Sequence, residues 1–512
     1  MPSVRVARPA KPVSGRPLSN EPLAQRTSRA MAMMTIQSIT ARFVMLGSNW
    51  ALGLLLEQSA FGISGMANIV GSTAWVFAGF CLDDVIVQRG RGLGFWEATT
   101  FRSSLAIACI AAVVTAAVAP FFGWLFHDQS VIGPILVFAV SLPIASLSTV
   151  AGAKLNARME FPFMIQWGYF ELIATQALII LFAFLGFKAY SFVLPMPIIM
   201  AARAIRYNLR ARPEPSRAHT GTRRLRLLRR GAMATGAKLV SNLIAQGDYL
   251  VLALLTSTSS VGFYYFAFRL AAVPARTIAT SLNTVLFPAM TAMKSDMRRM
   301  EQSAMKSANL LSWIVSPLSY FQIVVAAPLL HFFFGDKWSP SILMIQFLSI
   351  GLAVEAIMAV TRAYLSAAGK FDIALKYSLW NGAGFFLSCI TGALLGGAEG
   401  VALALSLYYI ATQPAIFSFL VDHSGQRLRN IFQIFILPTL ASAAAFGTAW
   451  LLTRLAPLTT DGLGNIMLVS LLGWLMYFGL FATLAPNVLK SLIGLLQSLL
   501  ARKNSKRAEA AG

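Results

Sequence analysis

Charge is what this sequence has least of. Only 12% of its 512 residues are charged, 57% are hydrophobic, and its mean hydropathy is +0.67. A water-soluble chain of this length needs far more charge to cover its surface. Acids are scarcer than bases, 19 against 42, which leaves a net charge of +23. That excess does not indicate a nucleic-acid partner, because the bases lie in loops and tails between apolar tracts. There are three cysteines, Cys81, Cys109 and Cys389, all in predicted helices and without metal-ligand spacing. They read as small packing residues. The four histidines, His127, His219, His331 and His423, are scattered and form no nucleophile or metal motif. The sequence has no P-loop, no Asp-rich glycosyltransferase motif and no ATPase domain. We therefore expect no catalytic residue, no metal site and no cofactor.

What the chain does have is a succession of apolar tracts of about 20 residues, the length that crosses a bilayer as a helix. Fourteen helices are predicted, at about 31–55, 61–86, 103–126, 131–153, 163–186, 189–207, 232–256, 261–291, 308–334, 340–367, 374–396, 399–420, 431–455 and 463–485. The fold class is an all-α polytopic membrane protein. Residues 1–30 are polar, with six Lys/Arg and no compact apolar region ahead of a cleavage site, and read as a cytoplasmic tail.

The least membrane-like stretch is Arg203–Arg230, with ten arginines and one acid, Glu214. It must lie in water or on lipid headgroups. With the N-terminus inside, 35 of the 42 Lys and Arg fall in cytoplasmic segments, and only Lys188, Lys337 and Arg454 fall outside. This asymmetry predicts that both termini are cytoplasmic. The Arg223–Arg230 run reads as an orientation determinant resting on anionic lipid.

The two sides of that linker repeat. Phe61-Gly62 with Ala67 matches Val261-Gly262 with Ala267. Ala119-Pro120 with Phe126 and Asp128 matches Ala327-Pro328 with Phe334 and Asp336. The loop Ala153–Phe161 matches Ala363–Phe371, and Leu185-Gly186 matches Leu395-Gly396. The matches run in order at nearly constant offset. Six helices per half put both halves in one orientation, as parallel repeats about an axis along the membrane normal. The expected organisation is a basic tail (1–30), an N-terminal six-helix lobe (31–207), an Arg-rich linker (208–231), a C-terminal six-helix lobe (232–420), two additional helices (431–485) and a second basic tail (486–512).

Several motifs resemble one family. They are Gln246-Gly-Asp-Tyr249, Val261-Gly-Phe-Tyr-Tyr-Phe-Ala267 and Leu282-Asn-Thr-Val-Leu-Phe-Pro-Ala-Met290, with Phe61-Gly62 leading to Val87-Gln-Arg89, and Gly335-Asp-Lys-Trp338 at an outer helix junction. The chain is similar to the Wzx-type polysaccharide flippases, near the WzxC branch, of the multidrug/oligosaccharidyl-lipid/polysaccharide exporter superfamily. The resemblance covers about residues 35–420. It implies two six-helix lobes in a V, alternating access, and movement of a polyprenyl-pyrophosphate-linked oligosaccharide from the cytoplasmic to the periplasmic leaflet of the inner membrane, for exopolysaccharide or O-antigen synthesis. It also implies lipid-linked oligosaccharide, a polysaccharide polymerase and a chain-length regulator as partners. The very basic linker and the Arg-poor first lobe depart from the common pattern.

Ions inside helices carry the site prediction, because an unpaired charge at a helix centre is costly and normally faces a cavity or a partner. In the first helix Thr35, Ser38, Arg42 and Asn49 share a face. In the seventh, Lys238, Ser241 and Asp248 do, with Asn242 beside them. In the eighth, Tyr265, Arg269, Arg276, Thr280 and Asn283 form one polar stripe. Arg42, Arg269 and Arg276, with Lys238, would bind pyrophosphate through charge-assisted hydrogen bonds. Asn49, Asn242, Tyr265 and Asn283 would meet the sugars. Asp248 is the candidate ion-coupling residue. The alternative is internal pairing, Asp248 with Arg276 and Glu355 with Arg269; Glu355 and Arg362 share a face of the tenth helix. Glu171 stands as Asp248 does, a candidate ion or a partner, and Arg203 and Arg206 are expected to snorkel to headgroups.

Two other transport readings share this architecture. One is a flippase for the lipid-linked peptidoglycan precursor. The other is a drug/cation antiporter, which would favour an acidic cavity, so the basic stripe argues against it. A polysaccharide polymerase or ligase would need a sizeable outer loop for donor and acceptor, and every predicted outer loop is only a few residues long.

Overall fold

The computed structural model describes residues 43–80, 93–158, 160–212, 238–422, 425–455 and 463–490, with isolated positions 37, 40, 41, 232, 235 and 236. The predicted Thr35, Ser38, Arg42, Cys81, Arg89, His219, His423 and Arg223–Arg230 run lie outside the described residues.

The described residues are helical throughout, without a strand. The helices are α1 (Phe43–Leu55), α2 (Gln58–Gly79), α3 (Leu93–Leu125), α4 (Ile132–Ser146), α5 (Thr149–Ala157), α6 (Phe161–Phe184), α7 (Pro195–Ala211), α8 (Lys238–Ala245), α9 (Gly247–Leu255), α10 (Thr258–Ala292), α11 (Met297–Phe334), α12 (Ser339–Ala367), α13 (Phe371–Leu420), α14 (Arg427–Leu455) and α15 (Leu463–Leu484). Among the described residues nine stretches are long and apolar enough to cross a membrane, with α11 and α12 counted as one, or ten if the bent pair α8–α9 is one span. The chain is a multi-pass membrane protein. Its outward faces fit that reading: Val113, Trp124, Phe184 and Leu395 are all largely exposed, which suits contact with lipid chains and not with water.

Two predicted helices are broken. The fourth, expected as one span over 131–153, divides at Leu147–Ser148 into α4 and α5. Pro143 lies inside α4, before the break. Polar side chains bond carbonyls around the break: Ser146 Oγ donates to Pro143 O (2.7 Å), Ser148 Oγ to Ala145 O (2.8 Å) and Asn208 Nδ2 to Leu147 O (2.9 Å). The seventh bends by 54° between α8 and α9 at Gln246. The eleventh and twelfth run together as α13 but are interrupted by non-helical Gly396 and Gly397, the latter with φ +58°.

A continuous core joins the first and second parts of the chain. Phe266 stacks on Trp338 at 4.0 Å, and Phe61 meets the Trp338 and Phe192 rings edge-on at 5.1 and 5.2 Å. The last two helices dock on α11, where Trp313 stacks on Phe481 at 4.9 Å and its carbonyl accepts from the Tyr477 hydroxyl.

Candidate functional site

α2 and α10 cross at their N-terminal ends with glycine against glycine. A Cβ on Gly62 would lie 2.0 Å from Thr258 O, and one on Gly262 2.0 Å from Gln58 O. No other residue permits that approach without backbone movement. Around this crossing the Gly335–Trp338 turn clamps the end of α1. Lys337 Nζ donates to Gly53 O (2.9 Å) and Leu54 O (3.2 Å), and Trp338 Nε1 donates to Gly53 O (3.0 Å). These bonds satisfy the carbonyls that a helix C-terminus leaves open. Gln58 Nε2 donates to Lys337 O (2.7 Å), and Thr258 Oγ1 donates to Asp128 Oδ2 (2.8 Å). The two parts of the chain are therefore sealed together at this end.

Deeper along α2 and α10 the helices enclose a cavity of about 280 Å³, bounded by α1, α2, α8–α9 and α10. Its polar walls are Asn49, Asn68, Gln246, Tyr265, Arg269 and Arg276. Asn49, Tyr265, Arg269 and Arg276 are four of the sequence-predicted residues. The Arg269 guanidinium lies 5.3 Å from the Tyr265 ring and 5.7 Å from the Phe192 ring, and Arg276 lies 4.8 Å from the Phe268 ring. These are cation–π distances. Neither arginine forms an ion pair among the described residues. Asn49 is 2% exposed, and its Oδ1 has no hydrogen-bond partner among the described residues. The cavity thus carries two arginines set against ring faces and, among the described residues, one buried amide oxygen without a hydrogen-bond partner.

The other predicted residues have different places. Asn242 reaches across to α2, where its Nδ2 donates to Thr73 Oγ1 (3.1 Å) and Ser72 Oγ (3.4 Å), beside Gln246 Nε2 to Ser72 Oγ at 3.3 Å. In this conformation it latches the two parts together. Asp248 is 2% exposed; its Oδ2 accepts from the Tyr264 hydroxyl (3.0 Å) and its Oδ1 from the Tyr249 amide (2.9 Å). Lys238 is exposed on α8, and Asn283 lies on α10.

The expected internal pairings also change. Glu355 holds Arg362 (3.1 Å), one helical face below it, and not Arg269. Asp248 forms no ion pair with Arg276 among the described residues; burial sets it among tyrosines, and a neutral hydroxyl meets its carboxylate. Glu171 holds Arg203 through two hydrogen bonds and also accepts from Trp167 Nε1 (2.5 Å), so Arg203 turns inward to a carboxylate where snorkelling was expected. Sequence reasoning missed Asn68, Ser72 and Gln246. Their signal was present: Asn68, Ser72 and Trp75 recur at steps of four and three along α2.

The fold is shared with solved structures of low sequence identity. A lipid II flippase MurJ in an inward closed conformation superposes with a TM-score of 0.68 at 14% identity, covering 89% of this chain and 99% of that one. An inward-facing multidrug resistance MATE family transporter of the MOP superfamily gives 0.57 at 13% identity, covering 78% and 98%. The model of a family described as polysaccharide biosynthesis protein matches residues 51–343, and this chain belongs to that family. Its relatives include the lipopolysaccharide biosynthesis protein WzxC of Escherichia coli, 25% identical over 231 residues. That alignment spans 43% of this chain and 46% of WzxC, less than half the length of either. The succinoglycan biosynthesis transport protein ExoT of Rhizobium meliloti is 21% identical over 365 residues, 71% of this chain and 73% of that protein.

Proposed function

We propose that this chain is a secondary transporter that flips a polyprenyl-pyrophosphate-linked oligosaccharide from the cytoplasmic to the periplasmic leaflet of the inner membrane, both termini being cytoplasmic. Two lobes, residues 31–207 and 232–420, rock about the α2–α10 crossing. The observation that carries this reading is the pair Arg269 and Arg276, which face one cavity and form no ion pair among the described residues. A pyrophosphate entering the bilayer must shed water. Two guanidinium forks replace that water with charge-assisted hydrogen bonds, each worth about 1.5–3 kcal/mol. Asn49 and Tyr265 offer amide and aromatic surfaces to the attached sugar, and Arg42, Lys238 and Asn283 are kept as further substrate contacts of this proposal on the sequence pattern alone. The isoprenoid tail stays in lipid. Asp248, buried against Tyr264, is the coupling residue of this scheme. The substrate leaves chemically unchanged, so the chain acts as a carrier and not as a catalyst. The names of the polysaccharide relatives support the substrate class; the two cations disfavour a drug/cation antiporter.

The test follows carrier-linked glycan across the membrane of cells with wild-type protein or Arg269→Ala/Arg276→Ala, at equal membrane levels, scored by access of an added glycosidase from the periplasmic side. Wild type exposes the glycan and the double variant retains it inside. Equal exposure would make the arginines structural, and no effect of deleting the whole chain would refute the substrate class.

A further inference from the structure

A second, larger cavity of about 370 Å³ lies inside the first part of the chain, where α4 breaks into α5. It is walled by the end of α2, the α4–α5 break and α7, and its chemistry differs from that of the arginine cavity. Trp75 and Tyr207 supply two aromatic walls, with Asn156, Ser146 and Arg203 between them. Arg203 brings no net charge, because Glu171 engages its Nε and Nη2. The indole N–H of Trp75, the Tyr207 hydroxyl, the Asn156 amide and Arg203 Nη1 have no hydrogen-bond partner among the described residues. A neutralised guanidinium–carboxylate pair attracts a bare anion poorly. It does present donor and acceptor side by side, the arrangement that reads neighbouring hydroxyls. Aromatic rings take up the C–H faces of a pyranose, and their polar tips take up its hydroxyls. The volume falls within the range of small-molecule pockets. Irregular backbone at this depth is tolerated where it lines a cavity.

The two cavities share a wall. Asn68 in the arginine cavity and Trp75 in the second are seven residues apart on α2, on one face, with Ser72 between them. Two turns of helix separate them, about 10 Å. The Asn242–Ser72 and Gln246–Ser72 hydrogen bonds stand between the chambers.

We infer that the Trp75–Tyr207 chamber is a glycan subsite that receives the uncharged sugars beyond the first, while the phosphate-linked end occupies the arginine cavity. The inference rests on the flippase reading above. The subsite makes the chain sensitive to the length of the glycan as well as to its charge.

The test uses single cysteines in the full-length chain, in a Cys81→Ala/Cys109→Ala/Cys389→Ala background. Gly152→Cys reports on the chamber; a Cβ there stands 3.6 Å from the Tyr207 ring, an ordinary contact. Asn156→Cys is a second reporter on the same wall, and Met45→Cys reports on the arginine cavity. Each is labelled with a membrane-permeant maleimide in native-host cells that make the complete lipid-linked unit, in cells whose glycan stops at the first sugar, and in cells that make no carrier-linked sugar. The expected result is several-fold slower labelling of Met45→Cys with either glycan, and of Gly152→Cys and Asn156→Cys with the complete unit only. Equal labelling of the chamber reporters with complete and truncated glycan, while Met45→Cys stays protected, overturns the subsite and leaves the flippase reading standing. Loss of protection at Met45→Cys in every host overturns the flippase reading itself, and the subsite with it.

Discussion

Gly62 and Gly262 meet backbone to backbone: a Cβ on Gly262 would stand 3.1 Å from the Gly62 amide nitrogen, and a Cβ on either residue would stand 2.0 Å from a carbonyl of the opposing helix. Substituting either with alanine forces the two helix ends apart. Overpacking of this kind costs about 1–3 kcal/mol. Gly62→Ala and Gly262→Ala are expected to lower the thermal midpoint of the purified protein and to increase labelling of Met45→Cys by an impermeant reagent added from the sealed end.

Lys337→Met should act on the same seam by a separate route. It removes two charge-assisted bonds to the end of α1 while keeping the length of the side chain. Because that ammonium is partly exposed, the expected loss is on the order of 1 kcal/mol, about a fivefold shift towards the state open at that end. The ratio of labelling rates at Met45→Cys in the variant and the parent measures it; an unchanged ratio would mean that the rings of Phe61, Phe266 and Trp338 hold the seam alone.

Asn242→Ala tests the latch. Its two bonds to α2 are neutral, worth about 0.5–1.5 kcal/mol each. The variant is expected to fold normally and to shift the balance between the two accessible states, read as faster labelling of Gly152→Cys. If Asn242 instead met sugars directly, glycan export would fall with no change in labelling.

Glu171→Gln leaves Arg203 facing a neutral amide. The Arg203 side chain is 31% exposed and Glu171 12%, so the cost lies below that of a fully buried pair, at about 1–3 kcal/mol. The double variant Glu171→Gln/Arg203→Met removes the unpaired charge and should recover most of that loss. Thermal denaturation of Glu171→Gln, Arg203→Met and the double variant completes the cycle.

The helices were legible because apolar tracts of bilayer length have few alternatives. Their interruptions were not. Nothing in 131–153 distinguishes Leu147–Ser148 as a break until Asn208, from α7, is seen to satisfy the Leu147 carbonyl. The polar first turns of α11, from Met297, lie outside an apolar pattern that begins near 308, and helical backbone continues through them. Within the site, Arg269, Arg276 and Tyr265 could be aligned from their spacing because one helix carries them. Asn242 could not be placed in this way: its partners Ser72 and Thr73 are 170 and 169 residues away, and only packing brings them near. The same holds for Glu171 and Arg203, on separate helices 32 residues apart.

The clamp on α1 also has a consequence in time. The Gly53 carbonyl finds its Lys337 partner 284 residues later in the chain. At ordinary rates of synthesis, about 5–20 residues per second, that ammonium emerges roughly 15–60 s after the carbonyl it will hold. Throughout that interval the nascent first helix waits in the bilayer with its end uncapped by Lys337, so the seam can close only after about half of residues 232–420 has been synthesised.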